Sequence, residues 1–256
     1  MTRFALCAAY MAALYAFIFL PVGVLALFSF QDGRFPVPPF QGFTLRWHAE
    51  VFADRRLMAA LGHSLLVAVG SASVSVALGF LGARALASGR LPGAGAIRAA
   101  LTAPLAVSYL VIGLGLLASF NLAGLGLSLW AVGAGHVVIN APLCLAICTA
   151  AMGERQVAAE RAARDLGAGE WRVMALVTAP MIAPALAAAF LLSVTFSWDE
   201  FIIAFLLSRF DVTLPVEIWS LLRSGLNPKT NAVGSIVFLA SALVVLGVEL
   251  ALLRRR

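Results

Sequence analysis

The sequence predicts an all-α membrane protein with six transmembrane helices in a single domain spanning residues 1–256. Three observations carry that prediction. Only 12% of the residues are charged while 62% are hydrophobic, about half the charge of a soluble domain, and the mean hydropathy is +0.99. The apolar residues gather into uncharged runs at Phe4–Phe30, Leu57–Ala83, Ala99–Gly153, Val173–Trp198 and Thr230–Val248. A span needs roughly 20 apolar residues, so the long third run holds two spans folded at Asn121-Leu122-Ala123-Gly124. The basic residues lie between the runs and define two sides.

Eleven of the eighteen basic residues fall on one side: Arg3, Arg84, Arg90, Arg98, Arg155, Arg161, Arg164, Arg172 and Arg254–Arg256. The positive-inside tendency then puts both termini in the cytoplasm. A net charge of +6 does not indicate a nucleic-acid partner. The cations sit in loops between spans, with no aromatic interleaving or folded basic domain.

Span one covers about Ala5 to Phe28. No small-residue cleavage pattern closes it, which predicts a retained helix and not a signal peptide. An external segment, Gln31–Arg56, follows. Its part Leu45–Leu57 mixes Trp47, Val51, Phe52 and Leu57 with charges, as an amphipathic surface helix does. Span two is predicted over His63–Leu86, made close-packing by Ser71–Ser75. Span three is predicted over Ile97–Leu117, with Pro104 near its inner end. Span four, Leu129–Ala150, carries His136 and Asn140 four residues apart on one face. They serve either helix–helix hydrogen bonding or a translocation path.

Span five is predicted over Met181–Leu207 and contains Trp198-Asp199-Glu200. A continuous helix rising 1.5 Å per residue would put Asp199 roughly 7–8 Å beyond the midplane. A carboxylate there must face a pore, a partner subunit or a substrate. Asp199 and Glu200 point about 100° apart on a helix, which assigns them different duties: Asp199 toward the path, Glu200 toward packing. The alternative is a span that ends earlier, with the pair marking an interface. Ser208–Lys229 contains a short surface helix stopped by Gly225. Span six is predicted over Asn231–Leu252, with Glu249 near enough to Arg254–Arg256 to pair.

The sequence contains no Gly-x-x-x-x-Gly-Lys-Ser/Thr loop, no His-Glu-x-x-His and no Gly-x-Gly-x-x-Gly after a strand. No catalytic residues are predicted. Cys144 and Cys148 share a helix face but lack flanking carboxylates or imidazoles, so they read as packing residues and not as metal ligands. Any energy the protein uses must come from an ion gradient or another polypeptide.

The segment between spans four and five is a different kind of sequence. Ala158, Ala159, Ala162, Ala163 and Leu166 predict a small apolar face, with Glu160, Arg161, Arg164 and Asp165 outside it. Gly167 allows a sharp turn, a second short helix starts near Glu170 and contains Trp171, and Pro180 lies at the entry to span five. Physics alone leaves two readings, a docking knob or an interfacial tether.

This segment resembles the cytoplasmic loop of ABC-importer transmembrane subunits, whose pattern is Glu-Ala-Ala, three residues, Gly, nine residues, Ile-x-Leu-Pro. Ala162, Ala163, Gly167 and Pro180 match at the expected spacing. Arg161 stands where the pattern has Glu, with Val177 and Ala179 for larger aliphatics, and Glu160 is the adjacent carboxylate. Glu160–Gly167 with Trp171, Pro180–Pro184, Ser197–Phe201, Thr213-Leu214-Pro215, Asn227–Ala232 and Phe43–Trp47 further resemble the spermidine/putrescine-type permeases, in particular the PotC-like half. The resemblance implies a type I ABC-importer permease fold in the bacterial inner membrane, with residues 153–179 as the coupling loop. It implies a second, different permease chain, two cytoplasmic ATPase subunits holding ATP and Mg2+, an external substrate-binding protein, and no cofactor in this chain. The implied function is ATP-driven import of a small cationic solute such as a polyamine. Another small solute, an iron complex, or a proton-coupled carrier are the alternatives.

Overall fold

The structure is a computed structural model that describes residues 2–88, 91–225 and 227–253. Arg90, Arg254–Arg256 and the pairing expected of Glu249 lie outside the described residues and side chains. The described residues form an all-α protein in two compact units, Met1–Ala59 with Glu217–Arg256, and Ala60–Val216.

In the first unit α1 (Thr2–Phe28) and α2 (Arg46–Ala53) both pack on α13 (Pro228–Leu253). Trp47 and Val51, four apart on α2, are its buried face. Gln31 is fully buried and organises the preceding loop. Its side chain donates to the carbonyls of Val37 and Pro39 and accepts from the Gln41 N–H, while Trp47 Nε1 donates to its backbone carbonyl at 2.7 Å. The single surface helix expected over Leu45–Leu57 is two elements. Asp54 divides them, leaving helical geometry and capping α3 (Arg55–Ala87) through Oδ1 to the N–H groups of Arg56 and Leu57. Its Oδ2 pairs with Lys229 at 2.5 Å. Helix α3 therefore begins well before the expected His63.

The second unit contains two further departures. The expected straight span Ile97–Leu117 is α4 (Ala94–Thr102), a 3-10 turn (Ala103–Ala106) and α5 (Tyr109–Leu122), bent by 106°. Pro104 removes a backbone donor, and Val107 and Ser108 are extended. The turn at Asn121–Gly124 leads into α6 (Leu129–Ala151). The chain continues through α7 (Glu154–Asp165), α8 (Glu170–Val173), one π-helical turn (Met174–Thr178), α9 (Ala179–Met181), α10 (Ala183–Asp199), α11 (Ile202–Leu207) and α12 (Leu214–Arg223). The expected continuous span Met181–Leu207 is broken at Glu200, whose backbone is extended.

Among the described residues, three helices are long and apolar enough to cross a membrane: Phe4–Phe28, Arg55–Ala87 and Leu129–Ala151. Counting the bent pairs Ala94–Ala106 with Tyr109–Leu122, and Glu170–Met181 with Ala183–Asp199, as one span each raises this to five. Among the described residues, two clusters lie in the core of this unit. Val67, Val132, Ile139, Ile203 and Leu207 form one. Phe80, Ala83, Leu145, Cys148 and Ile182 form the other.

Candidate functional site

Two places concentrate polar chemistry, both within Ala60–Val216. The first is the seam between α6 and α10. Four-residue steps align His136, Asn140, Cys144 and Cys148 on α6 against Ser197, Ser193 and Ala189 on α10, all buried. The small α10 residues let the two backbones approach closely. His136 Nδ1 lies 2.5 Å from Ser197 Oγ, which is 3.2 Å from Ser71 Oγ on α3. Asn140 Nδ2 donates to the Ser193 carbonyl at 3.4 Å, and Cys144 Sγ is 3.1 Å from Ser193 Oγ. Behind the seam Gly79 of α3 sits so close to α6 that a Cβ would come within 2.5 Å of Cys144 Cβ and 2.6 Å of its backbone.

Glu200 closes this seam. It is 5% exposed, and its carboxylate accepts from the N–H groups of Ile203 at 3.0 Å and Ala204 at 3.1 Å. Those are orphan donors of the first turn of α11, so the acid caps the helix that follows the break. His136 Nε2 lies 3.3 Å from Glu200 Oε2. Asp199 is exposed at the end of α10 and Trp198 half-buried. The depth calculated for Asp199 from an unbroken helix does not apply, because α10 ends there. The two acids are separated by a helix break and not by a helical step. No group of three His, Cys, Asp or Glu able to hold a metal occurs among the described residues.

The second place is the knob formed by α7 and α8. Leu166 caps α7 and Gly167 follows with φ +82°. Gly167 N–H donates to the Arg164 carbonyl and Ala168 N–H to that of Ala163, a Schellman turn whose left-handed position favours glycine. The small apolar face expected on α7 is turned outward. Leu166 is 88% exposed, and Ala158 and Ala162 are also exposed. The buried residues are Gln156 and Glu160, the latter 6% exposed. Alanines have little surface to gain by burial, whereas Glu160 finds a full set of donors inside. Thr178 Oγ1 donates to it at 2.6 Å, Arg164 at 2.9 Å and Gln156 also, and Arg84 Nε stands 3.8 Å away. Burial pushes the Glu160 carboxyl up, but the bonds from Thr178, Gln156 and Arg164 with the Arg84 charge outweigh it and hold the carboxyl below its ordinary range. Glu170 completes the cluster, paired with Arg84 at 2.5 Å and Arg164 at 2.8 Å.

Arg161, Asp165 and Pro180 are exposed, Ala163 is half-buried, and Trp171 is 76% exposed beside Leu166 in sequence order across the turn. Sequence reasoning missed the roles of Arg84, Gln156, Thr178, Ser193 and Gly79. The four-residue spacing Gln156–Glu160–Arg164 was a readable signal for one buried polar face. Arg84 gave none, because its partners lie more than seventy residues away in the chain.

The family model described as "Binding-protein-dependent transport system inner membrane component" matches residues 75–256. The chain is 30% identical over 242 residues to the spermidine/putrescine transport system permease protein PotC of Escherichia coli (strain K12), covering 94% of this chain and 91% of that one. It is 30% identical to the putrescine transport system permease protein PotI of the same strain, over 90% of this chain and 84% of that one. A chain of the crystal structure of a bacterial ABC transporter involved in the import of the acidic polysaccharide alginate shares the fold. Its TM-score is 0.71 at 17% identity, with 98% of this chain and 95% of that chain covered. The chain belongs to the binding-protein-dependent transport family, as a multi-pass inner-membrane permease subunit of an ABC importer.

Proposed function

We propose that this permease subunit carries six spans with both termini in the cytoplasm, and that residues 153–179 are the loop through which an ATPase drives it. The spans are α1, α3, the bent α4–α5, α6, the bent α10 region and α13, whose 26 residues suffice to cross. The observation that carries this reading is the knob itself. Exposed Leu166 and Trp171 stand on either side of the Gly167 turn, on a base locked by ion pairs. Two large apolar side chains held rigidly in the open suit a protein partner that covers them. ATP and Mg2+ then belong to two cytoplasmic ATPase subunits, and a second permease and an external binding protein complete the assembly.

The solute is a small cation, with a polyamine favoured because PotC and PotI relatives are named for spermidine and putrescine. Asp199, exposed at the end of α10, offers the path a carboxylate that can replace lost hydration of an ammonium group. Trp198 stands beside it, while His136, Asn140 and Glu200 hold the helices in place behind it.

The test is recovery of an ATPase subunit with the tagged chain expressed among its native partners. Wild type brings the ATPase down. Gly167→Val, which forces a β-branched residue into φ +82°, leaves the chain membrane-inserted but loses the ATPase and ATP-driven uptake of putrescine. Normal uptake by that variant would remove the docking role.

A further inference from the structure

Within the knob, Glu160 occupies a position that the resemblance to a docking loop does not explain. A residue that touched an ATPase would be exposed, as Leu166 and Trp171 are, yet Glu160 is buried. Two of its partners come from other elements. Arg84 belongs to the last turn of the 33-residue α3. Thr178 ends the π-helical turn that leads toward α10 and also donates to the Val173 carbonyl at 3.3 Å. Gln156 and Arg164 lie one turn before and after Glu160 on α7 itself. Arg84 and Arg164 each face both Glu160 and Glu170, so two cations and two carboxylates alternate in one charge-balanced group.

The covalent connections of α7 are loose by comparison. Gly153 precedes it in an extended conformation, and Gly167 and Gly169 follow it. Left to its backbone, the knob would swing on these glycines and a push on its tip would be absorbed there. The ion-pair group supplies the stiffness that the backbone lacks.

We infer that Glu160 is a positioning residue that ties the knob to the end of α3 and to the entry of α10, so that the knob and these helices move as one body. This rests on the coupling-loop reading above and specifies which side chain makes the loop a lever. Glu160 acts through Arg84 and Thr178 and does not itself meet the ATPase.

The experiment places spin labels at exposed Leu78, toward the end of α3, and at exposed Ala158 of α7, away from the docking tip, in the full chain in complex with whichever ATPase subunit co-purifies. Pulsed dipolar spectroscopy then reads the distance distribution between the end of α3 and the knob. It should be narrow in wild type and broaden by about twofold in Glu160→Gln, with ATPase recovery unchanged. Arg84→Gln should broaden it equally, and the double variant no further, since both remove one link. Glu160→Asp, which keeps the charge, should restore much of the narrow distribution. An unchanged distribution in Glu160→Gln, or additive broadening in the double variant, would overturn the strut. So would loss of ATPase recovery in Glu160→Gln with the distribution still narrow, which would make Glu160 a direct contact. Absence of any ATPase from the wild-type preparation would instead refute the coupling-loop reading on which this one rests.

Discussion

The seam and the knob each bury one glutamate, and they neutralise it by opposite means. Glu200 is held by two backbone N–H groups at a helix start and by an imidazole, all fixed in place by the packing of α6, α10 and α11. Glu160 is held by guanidinium groups on long side chains from separate elements, at a surface where Arg164 and Glu170 still meet solvent. Fixed dipoles inside a packed seam are shielded from the solvent, whereas ion pairs at a surface are open to salt and to protonation. The seam is therefore the region insulated from solvent conditions, and the knob the region that responds to them.

The largest effect should come from attacking the close backbone approach of α3 to α6 behind the seam. In Gly79→Val the new Cβ meets the backbone of Cys144 and Leu145 at 2.6 Å, where no side chain can swing aside. A cost of at least about 3 kcal/mol is expected, seen as a collapse of folded chain in detergent-resistant recovery and thermal midpoint. A stable Gly79→Val would mean the helices are not held so closely. Glu200→Ala comes next, because it strands the Ile203 and Ala204 N–H groups in the interior. It should lower stability by about 1–3 kcal/mol, while Asp199→Asn leaves the midpoint alone and lowers putrescine uptake. If Asp199→Asn were instead the destabilising change, the assignment of the buried cap to Glu200 would fail. Ser193→Ala should cost about 0.6 kcal/mol, a typical hydrogen bond between membrane helices, measurable as a small fall in unfolding midpoint.

The smallest effects distinguish the regions by solvent conditions. The Glu160 carboxyl is held below its ordinary range. Its stabilisation is therefore complete above the unfolded-state carboxyl pKa and disappears as pH falls through the lowered folded value. Acidification below the ordinary carboxylate range should release the knob, read as protease cleavage within 153–169, before the seam opens. High salt should act in the same direction and leave the seam unaffected. Equal sensitivity of both regions would erase the contrast.

How far the sequence foretold these sites follows from the range of the interactions. The knob's Gly167 turn, Trp171 and the Gly124 fold depend on neighbours a few residues away, and local pattern was enough to place them. The inward turn of Glu160 depends on Arg84, far off in the chain, so the sequence showed that glutamate only as a polar residue beside the alanine face. The breaks at Pro104 and Glu200 show the same division. Pro104 carried its own warning, whereas Glu200 interrupts a long apolar run by folding back onto Ile203 and reaching His136, a contact no periodicity encodes. Ser193 and Ser197 looked like ordinary small residues until α6 was seen beside them.

The claim most exposed to test is that the knob lies inside the cell and under an ATPase. A cysteine at Gly169, where a side chain meets nothing within 4 Å, can be compared with one at exposed Leu45, in a chain whose native cysteines Cys7, Cys144 and Cys148 are replaced by alanine. An impermeant thiol reagent added to intact cells should label position 45 and not 169. In inside-out vesicles it should label 169 only after the ATPase subunit is stripped away. Labelling of 169 from outside intact cells, or labelling from inside that the ATPase does not block, would contradict the account.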